Sequence, residues 1–213
     1  MAVPKGALFD DSVALLCAAG VDTGDLSEPG RRLIVDAPDM RFVIARPADI
    51  PAYVAYGGVD VAIAGADVLA EAALDVVEIV DLRFGACRLV VAERDGAGPT
   101  VEEAYRHLGV VRIATKYPRV TEAYFADRGV QVELVKLHGN IELAPLIGLA
   151  DRIVDITATG RTLSYNGLRV VEDVLASTAR FVANPVSVRI DADRVLGLAD
   201  RLEQAAATMK GRG

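Results

Sequence analysis

The stretch Arg152-Ile-Val-Asp-Ile-Thr-Ala-Thr-Gly-Arg-Thr-Leu163, running on to Asn166-Gly-Leu168, decides how the chain is read. Ile153 to Ile156 is an apolar run of strand length that carries one acid, Asp155. It empties into Thr157-Ala-Thr-Gly-Arg-Thr162, a turn dense in hydroxyls and backbone donors, and a helix is predicted from about Leu168. Strand, small-residue loop and helix N-terminus together make an anion cradle, because free N–H groups and the positive end of the helix dipole converge there. Glycine permits close backbone approach, and the threonines add donors. The acid just ahead of the loop suits a sugar diol better than a phosphate, so a phosphorylated sugar is the expected ligand. The same residues also serve a plain helix cap and turn, and one such unit alone does not choose between the two readings. Neither a Walker A pattern nor G-x-G-x-x-G occurs, which counts against a P-loop nucleotidase or a dinucleotide dehydrogenase.

Working outward, short apolar runs alternate with helical patterns along most of the chain. Strands are predicted near residues 33–35, 42–45, 59–64, 76–80, 88–92, 111–114, 130–137, 152–156 and 180–183. Helices are predicted near 11–19, 47–56, 101–108 and 120–128, with Gly20, Gly57, Gly109 and Gly129 placed where each should stop. A final helix over 191–209 carries Val195, Leu198, Leu202, Ala205 and Met209 at helical spacing, a stripe for a core or a partner subunit. The alternation argues for an α/β protein with mainly parallel sheets. Turn-like breaks at Glu93–Pro99 and Ser177–Asn184 suggest a second domain inserted into the first. The expected lobes are 1–92 plus 178–213, and 93–177, with a ligand cleft between them.

Composition narrows the classes. The chain has 213 residues and is 52% hydrophobic, enough for compact α/β layers and unlike a disordered segment. Its net charge of −7 argues against general nucleic-acid binding, while a local cationic cluster remains compatible with an anionic small substrate. No apolar run approaches membrane-spanning length and Met1-Ala-Val-Pro-Lys5 has no signal-peptide core, so a cytoplasmic location is expected. Cys17 and Cys87 fit no disulfide framework or metal spacing and are expected to be small buried side chains.

Cations recur at predicted strand ends. Lys5-Gly6 precedes the first helix, where a lysine either meets a polyphosphate or is simply solvated. Arg46 ends a strand, the usual ligand edge of an open α/β sheet, and a guanidinium can both stack on a base and bind phosphate. Asp49 has a sufficient explanation in the first turn of its helix. Gly65 allows close approach, and Asp67 either caps the next helix or receives an amino group. Arg88, and Arg112 with Lys116 and Arg119, add further cations; Pro118 suits a helix start, with Thr115 as its cap. His107 and His138 stand alone, and no nucleophile–base set is evident.

Taken together these motifs resemble the ATP phosphoribosyltransferase family. The resemblance rests on Glu142-Leu-Ala-Pro-Leu-Ile-Gly-Leu-Ala-Asp151-Arg-Ile-Val-Asp155, Thr159-Gly-Arg-Thr-Leu163 and Asn166-Gly-Leu168. Pro4-Lys-Gly6, Asp49-Ile-Pro51, Gly65-Ala-Asp67, Phe84-Gly-Ala-Cys-Arg-Leu89 and Arg112-Ile-Ala-Thr-Lys-Tyr-Pro118 match its other blocks in order, from about residue 3 to 184. Two positions depart from it: Ala7, where the family often has Arg, and Asn140, where Ser is common.

The resemblance implies a two-lobed α/β fold of the periplasmic-binding-protein-like type II class, with lobe 93–177 binding phosphoribosyl pyrophosphate. It implies the first step of histidine biosynthesis: adenine N1 of ATP attacks ribose C1 and pyrophosphate leaves with inversion, accompanied by Mg²⁺. No covalent intermediate is needed, only two anions held in line with leaving-group charge neutralised. By the same resemblance Thr157, Ala158, Thr159, Gly160, Arg161 and Thr162 hold the 5-phosphate and Asp155 the ribose hydroxyls. Lys5, Gly6, Gly65, Asp67 and Arg88 face ATP, and Lys5, Arg46 and Arg32 are the catalytic cations, Arg32 reaching a neighbouring subunit. The chain resembles the short form, a catalytic homodimer inside a hetero-octamer with a histidyl-tRNA-synthetase-like regulatory subunit on which histidine inhibition depends. Two rivals remain: a solute-binding module, which would carry an export signal or DNA-binding segment, and a salvage phosphoribosyltransferase, which would show paired acids where Asp155 stands alone.

Overall fold

In chain order the first elements of the computed structural model, which describes residues 1–210 and only the backbone of 98–100, 104 and 210, are β1 (Ala2–Pro4), α1 (Phe9–Ala18), β2 (Ile34–Asp36) and β3 (Arg41–Ala45). There follow α2 (Ile50–Ala55), entered through a 3₁₀ turn at Pro47–Asp49, then β4 (Val61–Gly65), α3 (Ala66–Ala72) and β5 (Val77–Asp81). The next set is β6 (Cys87–Arg94), α4 (Gly98–Leu108), β7 (Val111–Thr115), α5 (Pro118–Ala126) and β8 (Val132–Lys136). It continues with α6 (Leu143–Leu146), β9 (Arg152–Thr157), α7 (Arg161–Tyr165) and β10 (Leu168–Ser177). The chain ends in β11 (Ala179–Ala183), α8 (Pro185–Ile190) and α9 (Ala192–Lys210).

Contacts divide these elements into two compact units, Met1–Ala86 with Thr178 onward, and Cys87–Ser177. The first is built on a six-stranded sheet ordered β2-β3-β1-β4-β11-β5. Strand pleating sends alternate residues to opposite faces. Val3, Ile63 and Phe181 therefore pack with Leu15 and Leu16 of α1 and Leu198 and Leu202 of α9, while Ala2, Ala62, Ala64 and Val182 pack with Ile50, Val54 and Leu69 of α2 and α3. The α9 stripe is buried from Val195 to Ala206, and each fully covered leucine contributes about 2 kcal/mol. Met209, near its end, is 41% exposed and lies outside the buried stripe.

The second unit repeats the plan on a five-stranded sheet ordered β10-β6-β9-β7-β8. Leu89, Val91, Ile113 and Val154 face Val101, Tyr124 and Phe125 of α4 and α5. Val90, Ala92, Ala114 and Ile153 face Ala144 and Leu163 of α6 and α7. Alternation therefore puts Asp155, two residues beyond Ile153, on the α6–α7 face.

Several expectations need correction. Both sheets are mixed, because β2, β11, β6 and β10 pair antiparallel with their neighbours. The segment from Leu168 is a ten-residue strand, and the helix after the loop is the short α7 instead. Register shifts between Val170 and Glu172 and between Asp173 and Leu175 interrupt the two-residue alternation of β10, so that Leu168 and Val170 pack in one core cluster and Val174 and Leu175 in the other. The first crossing lies at Ala86/Cys87 rather than 92/93, because all of β6 pairs within the second unit. Finally, Cys17 is exposed on α1 and Cys87 only half-buried.

Glu93, expected to open a turn, is instead buried near the end of β6. Its carboxylate receives Arg152 Nε at 2.8 Å from β9 and Arg169 at 2.6 Å from β10, which pins three adjacent strands in register. Arg152 is mostly covered and Arg169 half-exposed, so the Arg152 pair matters more. Glu93→Ala should cost about 3 kcal/mol in urea unfolding and Arg169→Ala about 1 kcal/mol or less; equal small losses would show that the clamp contributes little.

Candidate functional site

In the second unit, β9 lies between antiparallel β6 and parallel β7, and its C-terminal end delivers the acid and the loop. Asp155 is 6% exposed, and its Oδ1 accepts the Ile156 N–H at 2.8 Å. Oδ2 lies 3.9 Å from Lys116 Nζ. Burial pushes this carboxyl above its ordinary value, against the Ile156 hydrogen bond and the Lys116 charge, with nearby Glu142 adding to the upward push.

The loop folds on itself around its hydroxyls. Thr157 Oγ1 accepts the Gly160 N–H at 2.8 Å, and Thr159 Oγ1 accepts the Arg161 N–H at 3.4 Å. Gly160 has φ of +75°, a left-handed conformation that turns the chain into α7 and suits glycine alone at low cost. Leu163 is buried in the core and anchors α7. Among the described residues, the N–H groups of Ala158, Thr159 and Thr162, the Thr162 hydroxyl and the Arg161 guanidinium have no intramolecular hydrogen-bond partner. Thr159, Arg161, Ser164 and Tyr165 line a surface depression of about 400 Å³. Unengaged donors around a shallow, cation-bordered depression suit a phosphate group.

Arg88 belongs with this loop. It was assigned to the first lobe, but it stands on β6 in register with Thr157 and binds Asp173 on β10 at 2.7 Å. Sequence reading missed this because the pairing of β6 with β9 joins residues almost seventy positions apart. Lys116, noted only as a strand-end cation, is drawn to the site in the same way. Thr115 proves not to cap α5; its hydroxyl donates to Val154 O at 2.7 Å and accepts the Tyr117 N–H at 2.9 Å, holding the turn against β9.

In the first unit, β3, β1 and β4 run parallel side by side. Their C-terminal ends gather Arg46, Lys5, and Gly65 with Asp67, at the edge where open α/β sheets receive ligands. Lys5 N–H bonds Ala45 O at 2.7 Å, and Gly6 turns the chain at φ of +94°. Arg46 is exposed; its carbonyl accepts the Asp49 N–H at 3.0 Å, while its guanidinium has no ion-pair or hydrogen-bond partner among the described residues. Asp67 is buried in the first turn of α3, behind the extended Gly65.

Lys5, Gly6, Asp10, Arg31 and Arg32 share the lining of a cavity of about 390 Å³. Arg31 is a cation that the sequence reading left out; its place beside Arg32 was the available signal. Arg32 is folded onto its own loop, bonded to Asp25 at 3.0 Å and to the carbonyls of Glu28 and Pro29. These exposed contacts are weak enough to exchange for a ligand.

The ATP phosphoribosyltransferase (HisG) family model matches residues 46–204. An ATP phosphoribosyltransferase of Rubrobacter xylanophilus is 48% identical over 198 residues, 93% of this chain and 92% of that protein. A chain of the ATP phosphoribosyl transferase (HisG:HisZ) complex from Thermotoga maritima is similar with a TM-score of 0.83 and 32% identity, covering 97% of this chain and 98% of that one. The substrate-binding protein of an amino acid ABC transporter gives 0.59 at 17% identity, over 96% and 82% of the two chains. That likeness shows the fold alone, the type II periplasmic-binding-protein class.

The buried acid makes a stability prediction. Below the ordinary carboxylate range Asp155 is protonated whether the chain is folded or unfolded. Above its raised folded-state value, the folded protein bears the whole cost of burying the charge. Asp155→Asn should therefore raise the melting temperature at pH 7 by about 2–4 °C for each kcal/mol relieved, a gain that fades as pH falls towards 4. A loss of thermal stability at pH 7 would show that the charge is well compensated.

Proposed function

The chain belongs to the ATP phosphoribosyltransferase family, and from that membership we propose which residues hold each substrate. Its reaction joins ATP to phosphoribosyl pyrophosphate, giving N1-(5-phosphoribosyl)-ATP and pyrophosphate, the committed first step of histidine biosynthesis. The N1–C1 bond forms as the bond from C1 to the pyrophosphate oxygen breaks, and the leaving group takes the electron pair. Two polyanions must be held in line while negative charge grows on pyrophosphate and positive charge on the ribose.

The buried acid of β9, followed directly by unengaged loop donors, carries the assignment of phosphoribosyl pyrophosphate to the second unit. Asp155 accepts hydrogen bonds from the ribose hydroxyls. The N–H groups and hydroxyls of Thr157, Ala158, Thr159, Gly160 and Thr162 bind the 5-phosphate, with the Arg161 guanidinium at the rim. Arg88, opposite Thr157, exchanges Asp173 for a substrate phosphate. Lys5, Gly6, Gly65 and Asp67 receive ATP, and Lys5, Arg46 and Arg32 neutralise polyphosphate charge, supported by their grouping at one sheet edge and one cavity. Among the described residues no cluster of three or more His, Cys, Asp or Glu side chains stands ready to hold a metal. By family resemblance Mg²⁺ arrives on the pyrophosphate, where it offsets leaving-group charge.

The Thermotoga maritima relative is solved as a HisG:HisZ complex, and similarity to it over 97% of this chain supports a hetero-oligomer with a regulatory subunit. The finer arrangement we propose is a catalytic homodimer within a hetero-octamer, in the cytoplasm, with histidine acting through the partner. No helix among the described residues is long and apolar enough to cross a membrane.

Two measurements test this reading. With ATP, phosphoribosyl pyrophosphate and Mg²⁺, ultraviolet absorbance should report N1-substituted adenine, and absence of product even with the regulatory partner would refute the enzyme assignment. Asp155→Ala should weaken phosphoribosyl pyrophosphate about 10- to 100-fold, the effect of removing a charged hydrogen-bond acceptor, and leave ATP within a few-fold. Equal losses for the two substrates would make Asp155 a structural residue only.

A further inference from the structure

Resting on the assignment of Asp155 to the ribose, we propose that Lys116 is a positioning residue for phosphoribosyl pyrophosphate: it keeps the Asp155 carboxylate charged and aimed at the sugar hydroxyls. A carboxylate 6% exposed at the end of an apolar strand needs an opposing charge or several hydrogen bonds to stay ionised. Among the described residues this one has a single hydrogen bond, from the Ile156 N–H to Oδ1. Among the described residues, Lys116 is the cation within ion-pair distance, 3.9 Å from Oδ2.

That distance leaves Oδ2 without a direct hydrogen bond from Nζ. The oxygen keeps its lone pairs for a ligand, while Lys116 acts through its charge. Glu142, beside α6, works in the opposite sense and raises the demand on Lys116.

The placement of Lys116 is built rather than incidental. Parallel pairing sets Thr115, the last residue of β7, opposite Val154, and Lys116 just past the strand end comes to lie beside Asp155, the next residue of β9. The Thr115 hydroxyl locks this junction through Val154 O and the Tyr117 N–H, both bonds under 3 Å. Lys116 keeps 41% of its side chain exposed, so its loss should spare the fold. It touches no substrate atom in this account and acts only through Asp155.

The experiment compares the wild-type chain with Lys116→Met, Lys116→Arg and Asp155→Asn. Phosphoribosyl pyrophosphate and ATP binding are measured by calorimetry from pH 5.5 to 8.5, with KM values for both where turnover is seen. Ligand phosphates titrate identically against every protein, so the difference between proteins carries the information. Lys116→Met should move the acid limb of phosphoribosyl pyrophosphate binding up by about one pH unit, because an opposite charge at this distance shifts a carboxyl by one to three units. On that limb affinity falls about tenfold, the equivalent of one unit, while ATP binding is unchanged and Lys116→Arg restores the wild-type profile. An unmoved limb, equal weakening of both substrates, or failure of arginine to rescue would overturn the proposal. Weak phosphoribosyl pyrophosphate binding by Asp155→Asn beside an unmoved Lys116→Met limb would refute Lys116 alone. Wild-type binding by Asp155→Asn would remove the underlying role of Asp155, and this proposal with it.

Discussion

Burying a carboxylate inside a sheet is the constraint around which the second unit is organised, and it does so twice along β9. At the strand's beginning Arg152 meets Glu93, which also takes Arg169 from β10. At its end Asp155 has one backbone hydrogen bond and a lysine at 3.9 Å. The first acid is matched by two guanidiniums in direct contact, so its charge is satisfied inside the protein and serves register. The second is left short of partners, and groups held out of balance in this way are where ligands are bound. The two ends of β9 thus differ in the number of donors supplied to the acid there: Glu93 of β6 is fully matched, and Asp155 is not.

The same logic explains why the loop beyond Asp155 is polar without being structurally idle. Thr157 and Thr159 accept from the backbone of Gly160 and Arg161, which shapes the turn but leaves their hydroxyl hydrogens available. A loop that satisfied all its own donors would be more stable and would bind nothing. The short α7 contributes little as a dipole; its main service is to fix the loop through buried Leu163. Asp155 and the loop therefore form one preorganised surface, with the acid held from beneath by the sheet and the donors presented above it.

Much of this was legible from residues alone, and what was not has a common cause. The Asp155 loop, the helix-stopping glycines and the buried stripe of α9 are local patterns, readable within one turn or strand. Gly20, Gly57, Gly109 and Gly129 all adopt positive φ. Strand β10 was misread because its register shifts break the two-residue alternation by which a strand is recognised. Glu93 was misread because a charged residue before Arg-Asp-Gly resembles the opening of a turn, while the two arginines that justify its burial come from residues 152 and 169. Arg88 and Lys116 failed in the same manner: each is tied to the site by strand pairing across a long separation, which no local window contains. Family resemblance supplied the substrates, but the pairing of β6, β9 and β7 is what sets Arg88 opposite Thr157 and brings Lys116 to Asp155.

A chain of net charge −7 that handles two polyanions must gather its cations where they act. In the first unit parallel strands do this by ending together, so that Lys5, Arg46 and the Gly65 turn share an edge although sixty residues separate the outermost of them. The loop before β2 adds Arg31 and Arg32 beside Lys5. Near the surface, with effective dielectric about 20, a cation 4 Å from a phosphate interacts by about 4 kcal/mol, whereas acids beyond a Debye length of about 8 Å are largely screened. Local arrangement therefore outweighs the global sign. In the assignment proposed above, Arg32 is such a cation: its exposed bonds to Asp25 and two carbonyls hold the guanidinium in a defined position, yet each is weak enough to exchange. A firmly buried pair like Glu93–Arg152 could not make that exchange, which is why binding falls to the incompletely satisfied charges and stability to the satisfied ones.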